Sequence, residues 1–133
     1  MSGRFWIFLG AVSGLLAVIA GAIGAHALPD PPAPAVSIHI YNTGQVYHVL
    51  HSLALVSAGL AILNGEGRQT STSRRALQLA GVAFTAGIIC FSGGIYVQVA
   101  KGLTSSGGIV PFGGMSLMLG WAALAIGALG LRR

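Results

Sequence analysis

Acidic side chains are almost missing from this chain: Asp30 and Glu66 are the only two. Cysteine is nearly as scarce. Cys90 stands alone in an apolar run, which excludes an intrachain disulfide and a cysteine cluster for a metal. Charge of both signs is also short, at 7% of residues, against the ~25% usual in soluble domains. A chain so poor in charge has too little with which to hold a soluble surface. What it has instead is apolar length: 54% of its 133 residues are hydrophobic, with a mean hydropathy of +0.81. That composition points to an integral membrane protein, and the length allows one domain. The net charge of +5 does not argue for nucleic acid, because the basic residues flank apolar runs, where they act as topology signals.

A bilayer core of ~30 Å needs about 20 helical residues at ~1.5 Å each. Four runs meet this, at about residues 5–28, 43–63, 76–100 and 109–131, and they are expected to form a single transmembrane domain over residues 1–133. The first run ends in Ala25-His26-Ala27, which looks like a signal-peptide cleavage site. However, the run is longer than the ~7–15 residues of a signal-peptide apolar region, so a span is the better reading. Between the first two runs, Pro29, Pro31, Pro32 and Pro34 exclude a continuing helix, and residues 28–40 read as a linker that includes His39. Asn64-Gly65 marks a helix stop. Ser71, Thr72 and Ser73 offer caps for the third helix, and Pro111 suits the first turn of the fourth.

Four spans place the loops alternately on two sides. Arg4, Arg68, Arg74, Arg75, Arg132 and Arg133 fall on one side and Lys101 alone on the other. With loops this short, the positive-inside rule predicts that both termini face the cytoplasm. Asp30 and Glu66 are then divided by the membrane, which excludes a paired-carboxylate mechanism and disfavours a Ser–His–Asp triad.

Small residues recur along the spans. Gly10, Gly14, Gly21 and Gly24 lie in the first, Gly93 and Gly94 in the third, and Gly113, Gly114, Gly120 and Gly127 in the fourth. Lipid supplies no hydrophobic force between helices, so close backbone approach over small residues has to supply the contact. The expected fold is all-α, an antiparallel four-helix bundle.

All four spans bring unusual residues to the end away from the arginines: His26, then Tyr47, His48 and His51, then Ser92 and Tyr96, with Pro111 opening the fourth. Tyr47, His48 and His51 lie on neighbouring parts of one helix face. A polar face is costly against lipid and should turn into the bundle or a water-filled cavity. A histidine there serves two possible ends. It can hydrogen-bond across helices and fix their register, or it can hold a ligand: a metal, a quinone, a haem or another lipid-soluble molecule. The residues do not choose a metal or a cofactor.

Several motifs occur in order: GAIGAHAL at 21–28, YHVLHSLA at 47–54, FSGGIY at 91–96, PFGG at 111–114 and Gly120-Trp121. With them the chain resembles the small membrane family of the bacterial YgdD and YwdK proteins (domain of unknown function 423), which also has eukaryotic members. The resemblance covers nearly the whole chain and implies a four-span bundle. It places the family motifs on His26, Tyr47, His51, Ser92, Gly93, Tyr96, Pro111, Gly113 and Gly114, with Gln permitted at the His48 position. The Pro-rich segment is not part of the pattern. No activity is implied.

The expectation is therefore a non-enzymatic accessory or stabilising subunit of an inner-membrane complex, with the lipid bilayer and other membrane subunits as partners and no nucleic acid. The alternative is a binding protein with an outer-leaflet pocket for a cofactor or hydrophobic ligand, built from His26, Tyr47, His48, His51, Ser92 and Tyr96. A small channel or transporter is a weaker third, since only the histidines could relay protons and no charged ring marks a pore.

Overall fold

The structure is a computed structural model that describes residues 1–26, 35–102 and 108–131, without side chains for 35–37. Residues 27–34, which hold Asp30 and the four prolines of the expected linker, residues 103–107 and the terminal Arg132 and Arg133 lie outside the described residues. Four helices account for nearly all the rest: α1 (Gly3–His26), α2 (Ala35–Asn64), α3 (Ser71–Ala100) and α4 (Val110–Leu129). Each contains a window long and apolar enough to cross a membrane. No strand forms among the described residues, only an isolated bridge between Gln69 and Leu131.

Two helix starts differ from the sequence reading. α2 begins at Ala35, directly after Pro34, and not near Thr43. No further proline stops it, and the Thr43 hydroxyl donates to the His39 carbonyl (3.0 Å), so His39 is helical. The cap of α3 is Thr70, one residue before the expected serines. Its hydroxyl accepts from the Ser73 backbone N–H at 3.1 Å. The Ser73 hydroxyl is used elsewhere, donating to the Gly127 carbonyl of α4 at 2.6 Å. α2 ends at Asn64 as expected, with the Gly65 N–H closing on the Ala61 carbonyl. Within α3, residues Ile88–Gly93 widen into a π turn.

The helices pack as two antiparallel pairs. α1 lies on α2, α4 lies on α3, and the bundle closes where α2 meets α3. The apolar windows of α2 and α3 are each 44% buried, against 17% for α1 and 28% for α4, so the inner helices are the second and third.

The seams of both pairs repeat every seven residues. On α1 the buried glycine and alanine positions are Gly3, Gly10 and Ala17, and Gly24 continues the series beneath the Tyr41 ring. A Cβ on Gly3 would meet the Gly59 carbonyl at 2.5 Å, and one on Gly10 would meet Val56 at 2.7 Å. On α4, Gly113, Gly120 and Gly127 receive the Phe91 backbone, the Phe84 ring and Leu77 of α3, themselves seven apart. A seven-residue repeat holds the seam at about 3.5 residues per turn and favours left-handed crossing near +20°. The core between the pairs is built from Trp6, Leu55, Ile62, Leu77, Phe84 and Leu117, with small alanines among them. At the arginine-bearing end, the Trp6 indole donates to Gln78 Oε1 (2.9 Å) and Gln78 Nε2 donates to the Met1 carbonyl, tying α1 to α3.

Candidate functional site

His48 and His51 are both buried, at 7% and 2% exposure. Because α2 starts earlier than expected, they sit ~15 and ~20 Å along the helix from Ile38, nearer its middle than its end. Their i, i+3 spacing turns them to different neighbours.

His48 belongs to a chain of side chains joining α1, α2 and α3, and its direction follows from its last member. The Ser52 hydroxyl is 2.8 Å from the His48 carbonyl, which can only accept, so Ser52 donates there. The Ser13 hydroxyl, 2.7 Å away, therefore donates to Ser52 Oγ. Ser13 Oγ is then left to accept from His48 Nε2–H at 3.2 Å. In the neutral ring, Nδ1 is the acceptor, and the Tyr96 hydroxyl donates to it at 3.3 Å. Tyr96 is held in turn by its ring contact with Tyr41, 5.0 Å between centroids, and Tyr41 donates to the Ala20 carbonyl of α1 at 2.6 Å.

His51 is fixed in the opposite tautomer. Its Nδ1 is 2.7 Å from the Tyr47 carbonyl, so Nδ1–H donates. Its Nε2 accepts from the Trp121 indole N–H of α4 at 3.1 Å. Tyr47 stacks on the His51 ring and touches Phe91, while Phe84 and Trp121 close the other side. Both imidazoles thus have both nitrogens engaged.

Two hollows flank these clusters. A cleft of about 360 Å³ lies between α1 and α3 over α2. Leu9, Val12 and Leu16 form one wall, Thr85, Ile88 and Ile89 the other, and Ser13, His48 and Tyr96 line it as well. On the far side of α2, a hollow of about 350 Å³ is lined by Tyr47, Leu50, His51, Phe91, Met118 and Trp121.

Of the expected site residues, the structure brings His48 and Tyr96 together, and separately Tyr47 and His51. His26 is exposed in the last turn of α1 and joins neither cluster. Ser92 is fully buried in the π turn, with its Oγ unpaired. A helical serine ordinarily bonds back to the carbonyl four residues earlier, a geometry that the wider turn alters. No group of three or more metal-ligating side chains occurs among the described residues. Ser13, Ser52 and Trp121 were not among the expected site residues, although Ser52 and Trp121 lie in the family motifs. Serines in an apolar run look like packing residues, and the signal that could have found Trp121 is its depth, ~16 Å from the start of α4, where tryptophan is unusual because it favours the membrane interface.

A family profile described as "Protein of unknown function (DUF423)" matches residues 20–114. The chain belongs to the DUF423 family. Among its relatives, the UPF0382 membrane protein YwdK of Bacillus subtilis is 36% identical, over 94% of this chain and 96% of its own length. The UPF0382 inner membrane protein YgdD of Escherichia coli K12 is 30% identical, over all of this chain and 95% of its own. The Staphylococcus aureus protein SAB0533 is 33% identical over 92% and 93%. No solved structure matches the chain. The profile takes in the end of α1, all of α2 and α3 and the first turn of α4, and therefore includes His48, His51, Ser52, Ser92 and Tyr96, but neither Ser13 nor Trp121.

Proposed function

We propose that this DUF423 protein is a non-enzymatic, multi-pass inner-membrane subunit that docks on a transmembrane helix of a partner protein. The observation that carries the reading is the hollow on the α2–α4 face. It is rimmed by Tyr47 and Trp121, 40% and 44% exposed, and by the flexible Met118. Large amphipathic aromatics beside an adaptable methionine are the residues that anchor helix-in-groove contacts. Trp121 stands near the middle of its helix, where the usual interfacial role of tryptophan does not apply. The name of YgdD, an inner membrane protein, supports the location. The cytoplasmic placement of both termini rests on Arg4, Arg68, Arg74 and Arg75 at one end of the bundle, against Lys101 at the other. A reporter fused after Arg133 should be active only on the cytoplasmic side; activity only outside would refute that orientation.

A photo-crosslinking residue at Met118 should yield a protein adduct in native membranes, while one at Leu15 on the outer face of α1 should yield only lipid. Lipid alone at both positions, together with migration as the isolated protein in blue-native electrophoresis, would end the proposal. A second reading, a binding protein for a hydrophobic ligand, is favoured by the separate cleft between α1 and α3.

A further inference from the structure

The cleft between α1 and α3 opens sideways. Leu16 and Ile89, 53% and 65% exposed, stand at its mouth, so in a membrane it communicates with the acyl chains and not with water. Its walls are aliphatic. The polar side chains along it are Ser13, His48, Thr85 and Tyr96, and the direction of their hydrogen bonds decides what they can still do.

Every proton on these groups is already committed. Tyr96 donates to His48, His48 to Ser13, and Ser13 to Ser52. Thr85 donates to the Gly81 carbonyl at 2.8 Å. What remains is lone pairs: one acceptor site on Ser13 Oγ, which already accepts from His48, two on Thr85 Oγ1, and the acceptor side of Tyr96 Oη. The cleft is therefore apolar with acceptor-only polar points. An occupant with a bare carbonyl would find no donor, whereas a hydroxyl head would satisfy both itself and an otherwise idle lone pair.

We propose that this cleft binds a lipid-soluble molecule through a hydroxyl group that donates to the acceptors along it, with Tyr96 Oη as the first choice. The chemistry is that of a hydroquinone or a long-chain alcohol, and not that of the matching quinone, ether or ester. This deepens the second reading above and does not depend on a partner subunit. It also gives the Ser52–Ser13–His48–Tyr96 chain a role beyond packing, because reversing any link would put a donor in the cleft.

The test is equilibrium partition of decyl-hydroquinone, its dimethyl ether, decyl-benzoquinone and 1-dodecanol between nanodiscs with and without the purified protein. The hydroquinone should bind about tenfold tighter than its dimethyl ether and than the quinone, the worth of one good hydrogen bond. Dodecanol binding as strongly as the hydroquinone assigns the site to alcohols in general; selective hydroquinone binding assigns it to aryl hydroxyls. Either outcome supports the proposal. Gly93→Leu adds a side chain into the cleft, since the nearest atom to a Cβ there is the Ile88 carbonyl at 3.9 Å. Ile89→Trp covers its mouth. Both variants should unfold at the wild-type temperature yet lose the hydroxyl preference. Equal binding of all four probes, or a preference that survives both variants, would overturn the assignment. A cleft that holds only phospholipid in every sample would overturn it too, while leaving the docking face on α2 and α4 untouched.

Discussion

The seven-residue seam makes a sharp distinction between glycines that look alike in the sequence. In α4, a Cβ at Gly120 would stand 2.5 Å from Phe84 Cδ1 and 2.6 Å from Cε1, where carbon atoms prefer about 3.5–4.0 Å. Relief requires the helices to part by about 1 Å or Phe84 to turn. Phe84 is fully buried and braced by Trp121 and His51, with ring centroids 5.4 and 5.8 Å away. Overpacking of this kind costs about 1–3 kcal/mol, and the better helix propensity of alanine returns up to about 1 kcal/mol. Gly120→Ala should therefore destabilise the bundle by about 1–2 kcal/mol. In α1, a Cβ at Gly14 meets only Ser52 Cβ, at an ordinary 3.9 Å. Gly14→Ala should be neutral or stabilising, although Gly14 belongs to as dense a stripe of small residues. Unfolding in mixed micelles with increasing dodecyl sulfate, followed by circular dichroism of the helices, measures both. If the two variants unfold together, the seven-residue seam does not hold the helices and the packing account is wrong.

The two histidines should show opposite tautomers in nitrogen NMR of the labelled protein in bilayers, His48 protonated on Nε2 and His51 on Nδ1. A shared tautomer would break the donor–acceptor chain inferred from the Ser52 and Tyr47 contacts. Thr70→Ala removes the acceptor for the Ser73 N–H and should cost about 1 kcal/mol, with Thr70→Ser close to wild type. Equal loss in both variants, measured by the same unfolding titration, would assign the effect to the threonine methyl and not to the cap.

The fold was legible because its causes are local. Apolar runs long enough for a bilayer, an Asn-Gly stop and a proline at the start of α4 are each read from a few adjacent residues. The start of α2 was not, because four prolines mark where a helix cannot be but do not say how soon it resumes. Ala35 follows Pro34 at once, and that early start places His48 and His51 near the middle of α2. Small-residue stripes were visible, but their true period was obscured by Gly14, Gly21 and Gly114, which lie beside the seams. The site was partly legible. Tyr47, His48, His51 and Tyr96 stand out as polar groups in apolar runs, but their grouping depends on which helix each meets. His26, singled out by the same logic, stays outside because it is exposed on the side of α1 turned away from Gly24, which is the residue that meets Tyr41 of α2. Ser13 and Trp121 become polar partners only through contacts 35 and 70 residues away in the chain.

Those two long-range contacts explain why one helix carries both histidines. A buried imidazole has two nitrogens and, when neutral, one must donate and the other accept. Set three residues apart on α2, His48 looks towards α1 and α3 while His51 looks towards α4, so a single helix hydrogen-bonds to all three others. Each ring is polarised by a carbonyl that can only accept. For His51 the carbonyl of Tyr47 is bonded directly, so Nε2 must accept and an indole, which can only donate, is the fitting partner. For His48 two serines intervene, so Nε2 becomes the donor and a tyrosine hydroxyl must donate to Nδ1. Phenylalanine at 121 would leave His51 Nε2 bare, and phenylalanine at 96 would leave His48 Nδ1 bare, each a buried acceptor with no water to replace the loss. The choice of tryptophan on α4 and tyrosine on α3 therefore follows from two carbonyls of α2.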